Sequence, residues 1–145
     1  MAADAWVLHD RFKEYLGDGT VDIDNDTFVV RLYTSASNVA TTSIGDATTA
    51  TNELGTANGY TAGGQTVAAT WTRSGGTVTF DVANAVWTAA GGSITARLAA
   101  IVDTTTTPDE IVAHSLLDNT PADVTATDGN TFTVDINSSG VFDAS

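Results

Sequence analysis

The densest group of potential metal ligands in the sequence is an acidic run that contains Asp22, Asp24 and Asp26. Carboxylate oxygens are the ligands that Ca²⁺ prefers, and in an extended strand these three side chains would share one face. The match to the EF-hand pattern fails at two positions: counted from Asp22, the sixth residue is Thr27 instead of Gly and the twelfth is Tyr33 instead of Glu. The run therefore remains a calcium candidate beside the simpler interpretation of an exposed acidic entry to a strand, and no cofactor is predicted.

The two histidines, His9 and His114, are the next candidates for chemistry. Zinc would need three or four ligands, and the sequence has no Cys and no suitable His spacing. His114 and Ser115 cannot share a proton relay, because adjacent residues on a strand point to opposite faces. The sequence has no nucleophile elbow, phosphate-binding glycine loop or H-E-x-x-H motif. Nothing singles out a glycosidase pair among the 18 acids, so the prediction is a protein that is not an enzyme.

Three aromatic residues, Tyr60, Trp71 and Trp87, could stack on sugar rings if they were exposed. Both tryptophans lie in or beside alternating strands, which favours a place in the core. A carbohydrate-binding module, as on a tail tip or adhesin, stays open as an alternative.

Charge narrows the class of partner. The chain of 145 residues has 18 acidic and 5 basic side chains, for a formal charge of −13. Binding to nucleic acid or to an anionic membrane needs a basic surface, so neither partner is expected. The length is typical of one domain, here 1–145, and no apolar run approaches the roughly 18 residues of a membrane span.

The elements that must position these residues are mainly strands. Thr occurs 26 times and Glu only 3 times, and Thr suits a pleated, half-buried surface. Alternating patterns predict strands at 22–33, 65–72, 77–82, 94–102, 111–117 and 131–136, with shorter ones at 85–87 and 140–145. About seven or eight short strands separated by turns indicate an antiparallel β-sandwich of the jelly-roll or Ig-like kind, with a short N-terminal helix.

The helix is predicted at 3–16, as part of an N-terminal arm over 1–16. Asp4 stands where it favours the first turn, and Gly17 where a helix ends. The helix is short, so it needs a surface on which to dock. Its apolar stripe is Leu8, Phe12, Tyr15 and Leu16.

The segment 35–64 is rich in Thr, Ser, Ala, Asn and Gly and has few large apolar residues. Such a long stretch without strands is unusual inside a compact domain, so we expect local turns and packing against a partner. The arm and this segment are therefore the predicted contact regions. The residues predicted to contact a partner are Trp6, Leu8, Phe12, Leu54 and Tyr60.

Several segments resemble those of a known class of proteins. FKEYLGDG leads directly into TVDIDNDTFVVRLY, and NELGTANGYTAGG, a W-T-R-S-G-G hairpin, ITARLAAIVD and TFTVDINSSGVFDAS follow in order. In the order and style of these segments the chain resembles small virion structural proteins of tailed bacteriophages, above all head decoration (cement) proteins.

The resemblance implies a position on the outer surface of the head. There the protein would form trimers, bind the lattice of the major capsid protein and stabilise it. It implies no catalytic residues. A minor tail structural protein is the nearest alternative within the same class.

Overall fold

In a computed structural model, which describes residues 5–145, the chain is mainly β with one short helix near its N-terminus, as predicted. Every strand pairing is antiparallel. The helix α1 spans Asp10–Asp18, and the strands are β1 (Val7–Leu8), β2 (Phe28–Tyr33), β3 (Gln65–Val67), β4 (Ala69–Ser74), β5 (Thr77–Val82), β6 (Ala85–Thr88), β7 (Ile94–Ala96), β8 (Leu98–Asp103), β9 (Glu110–Leu116), β10 (Val124–Ala126), β11 (Thr131–Val134) and β12 (Phe142–Ala144).

These residues hold more strands than the seven or eight expected. Two predicted strands are each divided, β1 lies inside the segment predicted as helix, and β10 lies where no strand was predicted. The first division separates β3 from β4 at Ala68, and the second separates β7 from β8 at Arg97. The second break also moves the chain from one sheet to another: β7 pairs with β10, whereas β8 pairs with β2 and β9. A single alternating pattern over 94–102 could not reveal this change.

The strands form four sheets. The largest has the order β1-β9-β8-β2-β3, and the smaller ones are β12-β5-β4, β11-β6 and β10-β7. The predicted hairpin between β4 and β5 is confirmed, with Gly75 and Gly76 in its turn and Trp71 opposite Phe80. At the edges of the five-stranded sheet lie the very short strands β1 and β3, a form that limits unwanted edge pairing.

The five-stranded sheet is buried on both faces. Along β2, Val30 and Leu32 belong to the larger apolar cluster shared with the small sheets, whereas Val29 and Tyr33 belong to a second cluster on the other face. Every residue of β8 is buried, as expected for a central strand. The register between β8 and β9 shifts once, beside Val102, as at a β-bulge.

The second face is covered by the 35–64 segment, named here the excursion. Val39 and Ala47 are buried in the second cluster, and Ile44 packs against it. The backbone of the excursion also joins the start of β9, since Ile111 N donates to Gly45 O at 2.6 Å. Local turns are confirmed, but the apolar side chains of this half of the excursion are engaged with the protein's own sheet rather than held free for a partner.

The helix differs in extent from the prediction over 3–16. Val7 and Leu8 form β1, α1 begins only at Asp10, and it ends before Gly19, whose φ is 83°. Pairing of Leu8 with Ala113 on β9 overrides the local helical pattern. Asp4, the expected first-turn acid, lies outside the described residues. The helix has its own docking surface, because Phe12 is fully buried.

Candidate functional site

The two histidines, far apart in sequence, lie against each other inside the protein. His9 sits just before α1 and His114 on β9, and both are buried. His9 Nδ1 donates to the carbonyl oxygen of Ile44 (2.5 Å), so the Nε2 of the neutral ring accepts from Nδ1 of His114 (2.9 Å). Burial lowers the pKa of both residues, that of His114 to about 4. Two neutral rings thus link the start of the helix, the excursion and β9.

An ion pair lies beside the histidines. Arg11 of α1 donates through Nε (2.8 Å) and Nη2 (2.5 Å) to Oε2 of Glu110, a fully buried carboxylate at the start of β9. Burial raises the pKa of Glu110, although Arg11 opposes the shift. Gly45 makes the close approach possible, since a Cβ there would lie 2.7 Å from Glu110 Oε1. We name the four side chains His9, Arg11, Glu110 and His114 the polar clamp.

The polar clamp resembles a structural device more than a reaction centre. It offers two neutral imidazoles and a carboxylate already engaged by a guanidinium, and Ser115, the residue after His114, donates to Leu116 O (3.3 Å). The clamp holds together three segments that lie far apart in sequence, namely the start of α1, the excursion and β9. The chain pattern alone pointed to the two histidines but not to their contact, because nothing local sets the distance between an arm and a strand.

A second buried acid lies at the end of β8. Asp103 is fully buried, and its Oδ1 accepts a hydrogen bond from Thr105 N (2.8 Å), while its Oδ2 has no hydrogen-bond partner. Burial, aided by the nearby Asp26 carboxylate, raises the pKa of Asp103 to about 7. Asp26, a member of the predicted calcium run, therefore lies close to a buried acid from another part of the chain. The sequence showed Asp103 only as a strand-end residue.

The calcium candidate does not assemble as the strand prediction required. Residues 23–26 form turns, and β2 begins only at Phe28. Asp26 Oδ2 accepts from Asp22 N (2.8 Å), and Asp22 Oδ2 accepts from Asn25 Nδ2 (2.9 Å), while Asp24 is exposed. Within residues 5–145, no group of three His, Cys, Asp or Glu side chains could hold a metal ion.

Two of the predicted contact residues are parts of the core. Phe12 is 0% exposed and Tyr60 is 2% exposed, so neither is available to a partner in this fold. The Tyr60 hydroxyl accepts from Leu32 N (3.1 Å) and donates to Glu53 Oε1 (2.8 Å). The remaining three, Trp6, Leu8 and Leu54, are half-buried against the larger cluster.

The proposed aromatic platform is divided in the same way. Trp87 is buried between Tyr60 and Phe132, with ring centroids 5.5 Å and 6.4 Å away. Trp71 is half-buried, and its ring lies 5.9 Å from that of Phe142. Of the three rings, only Trp71 keeps a partly accessible surface.

Basic side chains are largely neutralised within the protein. Four of the five pair with acids of the same chain, namely Arg11 with Glu110, Lys13 with Asp10, Arg31 with Asp109 and Arg97 with Asp123. In the described part of the chain, only two acids, Asp103 and Glu110, are buried. The surplus of carboxylates is therefore carried by exposed and half-buried positions, and the exterior is strongly acidic.

Comparison with known proteins finds no matching family model, no matching curated protein and no matching solved structure. In the described part of the chain there is also no helix with the length and apolar character needed to cross a membrane.

Proposed function

We propose that the chain is a non-enzymatic virion structural protein. In this role it decorates the outer surface of a phage head, binds the lattice of the major capsid protein and stabilises it. The observation that carries the proposal is the acidic exterior, on which four of five cations are already paired. Such a surface favours a basic protein partner and disfavours random self-association through charge.

The interior supports the same role. A decoration protein must keep its fold while the capsid to which it is bound is under mechanical load. Here the five-stranded sheet is covered on both faces, and the polar clamp joins the helix, the excursion and the sheet. In the described part of the arm, the half-buried Trp6 and the exposed Val7 are accessible apolar side chains. They are the positions at which we expect contact with a capsid subunit or with another copy in a trimer.

Purified heads without decoration test the proposal. Adding the protein should produce co-sedimentation with heads and raise their resistance to heat and osmotic shock. Because the contact is electrostatic in part, binding should weaken as salt rises. Light scattering on the free protein measures the expected trimer. Failure to bind heads at any salt concentration contradicts the proposal, and binding to tails alone favours the minor tail protein.

A further inference from the structure

A groove of about 440 Å³ opens between the end of α1, the turn that follows it and the face of β4. Its apolar wall is made by Leu16, Val21 and Ile23, with the indole of Trp71 on the β4 side. Val21 and Ile23 are almost fully buried, so this wall is fixed by the core. The accessible apolar surface of the groove therefore belongs mainly to the half-buried Leu16 and Trp71, which rest on this fixed wall.

Two carboxylates complete the lining. Asp22 and Asp24 belong to the groove, and both are exposed. The Asp22 carboxylate accepts one hydrogen bond, from Asn25 Nδ2. Among residues 5–145, no basic side chain lines the groove. Arg73, two residues beyond Trp71, donates to Gly75 O in the hairpin turn (3.2 Å).

An indole beside two carboxylates is a recognition arrangement for a cation. The face of Trp attracts a guanidinium or ammonium group within about 6 Å, and carboxylates accept the N–H groups of the same cation. The aliphatic stem of an arginine or lysine would lie along the apolar wall. The surplus negative charge of the chain also draws a cation toward the groove but does nothing for a neutral sugar.

We propose that this groove receives a basic side chain, best an arginine, from a partner protein. The planar guanidinium can stack on Trp71 while it donates to Asp24 or Asp22, a combination that lysine meets only in part. The inference rests on the proposed function in one respect, namely that the partner is a protein surface. It adds the location and the chemistry of the contact.

The probes are N-acetyl-arginine amide, N-acetyl-lysine amide and methyl glucoside, each titrated into the full chain and followed by the indole N–H resonance of Trp71 in NMR. Trp71→Leu identifies that resonance by its loss and removes the π face while it keeps apolar volume. Asp24→Asn removes one groove charge, and Glu14→Gln removes one exposed charge outside the groove as the matched control.

The arginine probe should shift the Trp71 resonance in a saturable way, and more strongly than the lysine probe. Asp24→Asn should weaken arginine binding at least fivefold, while Glu14→Gln changes it less than twofold. In Trp71→Leu, saturable shifts of the backbone amides around Asp24 should disappear. A shift with methyl glucoside alone, equal losses in the two charge variants, or no shift with arginine would overturn the inference.

Binding to undecorated heads separates this inference from the proposed function. If Trp71→Leu and Asp24→Asn bind heads as well as the unchanged protein does, the groove is not the contact and only the inference fails. If the groove binds arginine but the protein never binds heads, the proposed function fails and the assignment of a cation groove stands.

Discussion

Replacing His114 by Asn should remove a pH dependence that is built into the polar clamp. In the folded protein burial lowers the pKa of His114 from 6.5 to about 4, so its ring stays neutral where an unfolded chain would already take up a proton. The unfolded state therefore binds more protons between these two pH values. It follows that this contribution to stability is fully present above pH 6.5 and is lost as pH falls toward 4.

The size of the effect follows from the pKa difference. Each tenfold change in proton affinity is worth about 1.4 kcal/mol, which gives roughly 3 kcal/mol in total for His114 and roughly 2 kcal/mol between pH 7 and pH 5. Asn can place an amide N–H where Nδ1 of His114 now donates to His9, and it does not titrate. The variant therefore keeps a donor to His9 but has no group at position 114 that binds protons differently in the folded and unfolded states.

The assay is urea unfolding, followed by tryptophan fluorescence, at a series of pH values from 7 to 5. The unchanged protein should lose about 2 kcal/mol more than His114→Asn over this range. Other groups titrate as well, so the informative quantity is the difference between the two proteins. Val112→Ala lowers stability by opening a cavity in the neighbouring core and changes no titrating group. Its free energy of unfolding should therefore change with pH as that of the unchanged protein does. If the free energy of unfolding of His114→Asn changes with pH as that of the unchanged protein does, a lowered pKa of His114 does not contribute to the pH dependence of stability.

Three further outcomes are expected from the interior. Because the pKa of Asp103 is raised in the folded protein, the unchanged protein loses stability as this group ionises, and Asp103→Asn does not. In the same unfolding assay, Asp103→Asn should therefore become more stable relative to the unchanged protein as pH rises from 4 to 8. A difference in the free energy of unfolding that stays constant over this range contradicts the prediction. Arg11→Met should lower the free energy of unfolding by about 3–5 kcal/mol at pH 8, since it leaves Glu110 buried without its cation, and the double variant with Glu110→Gln should recover part of the loss. Gly64→Ala should have a melting temperature well below that of Gly63→Ala. Both glycines have positive φ, but of the two only Gly64 would place a Cβ against backbone, 2.1 Å from Val30 O. Equal losses of melting temperature in the two variants would refute the steric reason.

The sequence predicted the class of fold because its signals are local. Two kinds of signal depend on neighbouring residues only: the alternation along a strand and the glycines of a turn. The elements predicted from them, β2, β5, β11 and the turn between β4 and β5, are confirmed. The division of 94–102 at Arg97 depends on which sheet each half joins, which no local pattern contains.

The same limit applies to the candidate sites. The histidines and the acids could be named from the sequence, but the contact of His9 with His114 and the approach of Asp26 to Asp103 are made by chain segments that meet only after folding. Phe12 and Tyr60, which were predicted to contact a partner, are buried in the protein's own core. The helical spacing around Phe12 and the sparse segment around Tyr60 showed that something must cover these side chains, without showing that the same chain does so.

The placement of β2 beside β8 has a consequence for how the chain is made. The two strands are neighbours in the central sheet, yet the excursion and the strands β3 to β7 separate them in sequence. During synthesis β2 emerges with both apolar faces uncovered and waits for a partner that follows much later. A topology dominated by such distant pairings folds slowly, and the incomplete sheet is the species most prone to aggregate. We therefore expect the yield of soluble protein to depend on the lifetime of an unpaired β2 as well as on the stability of the finished fold.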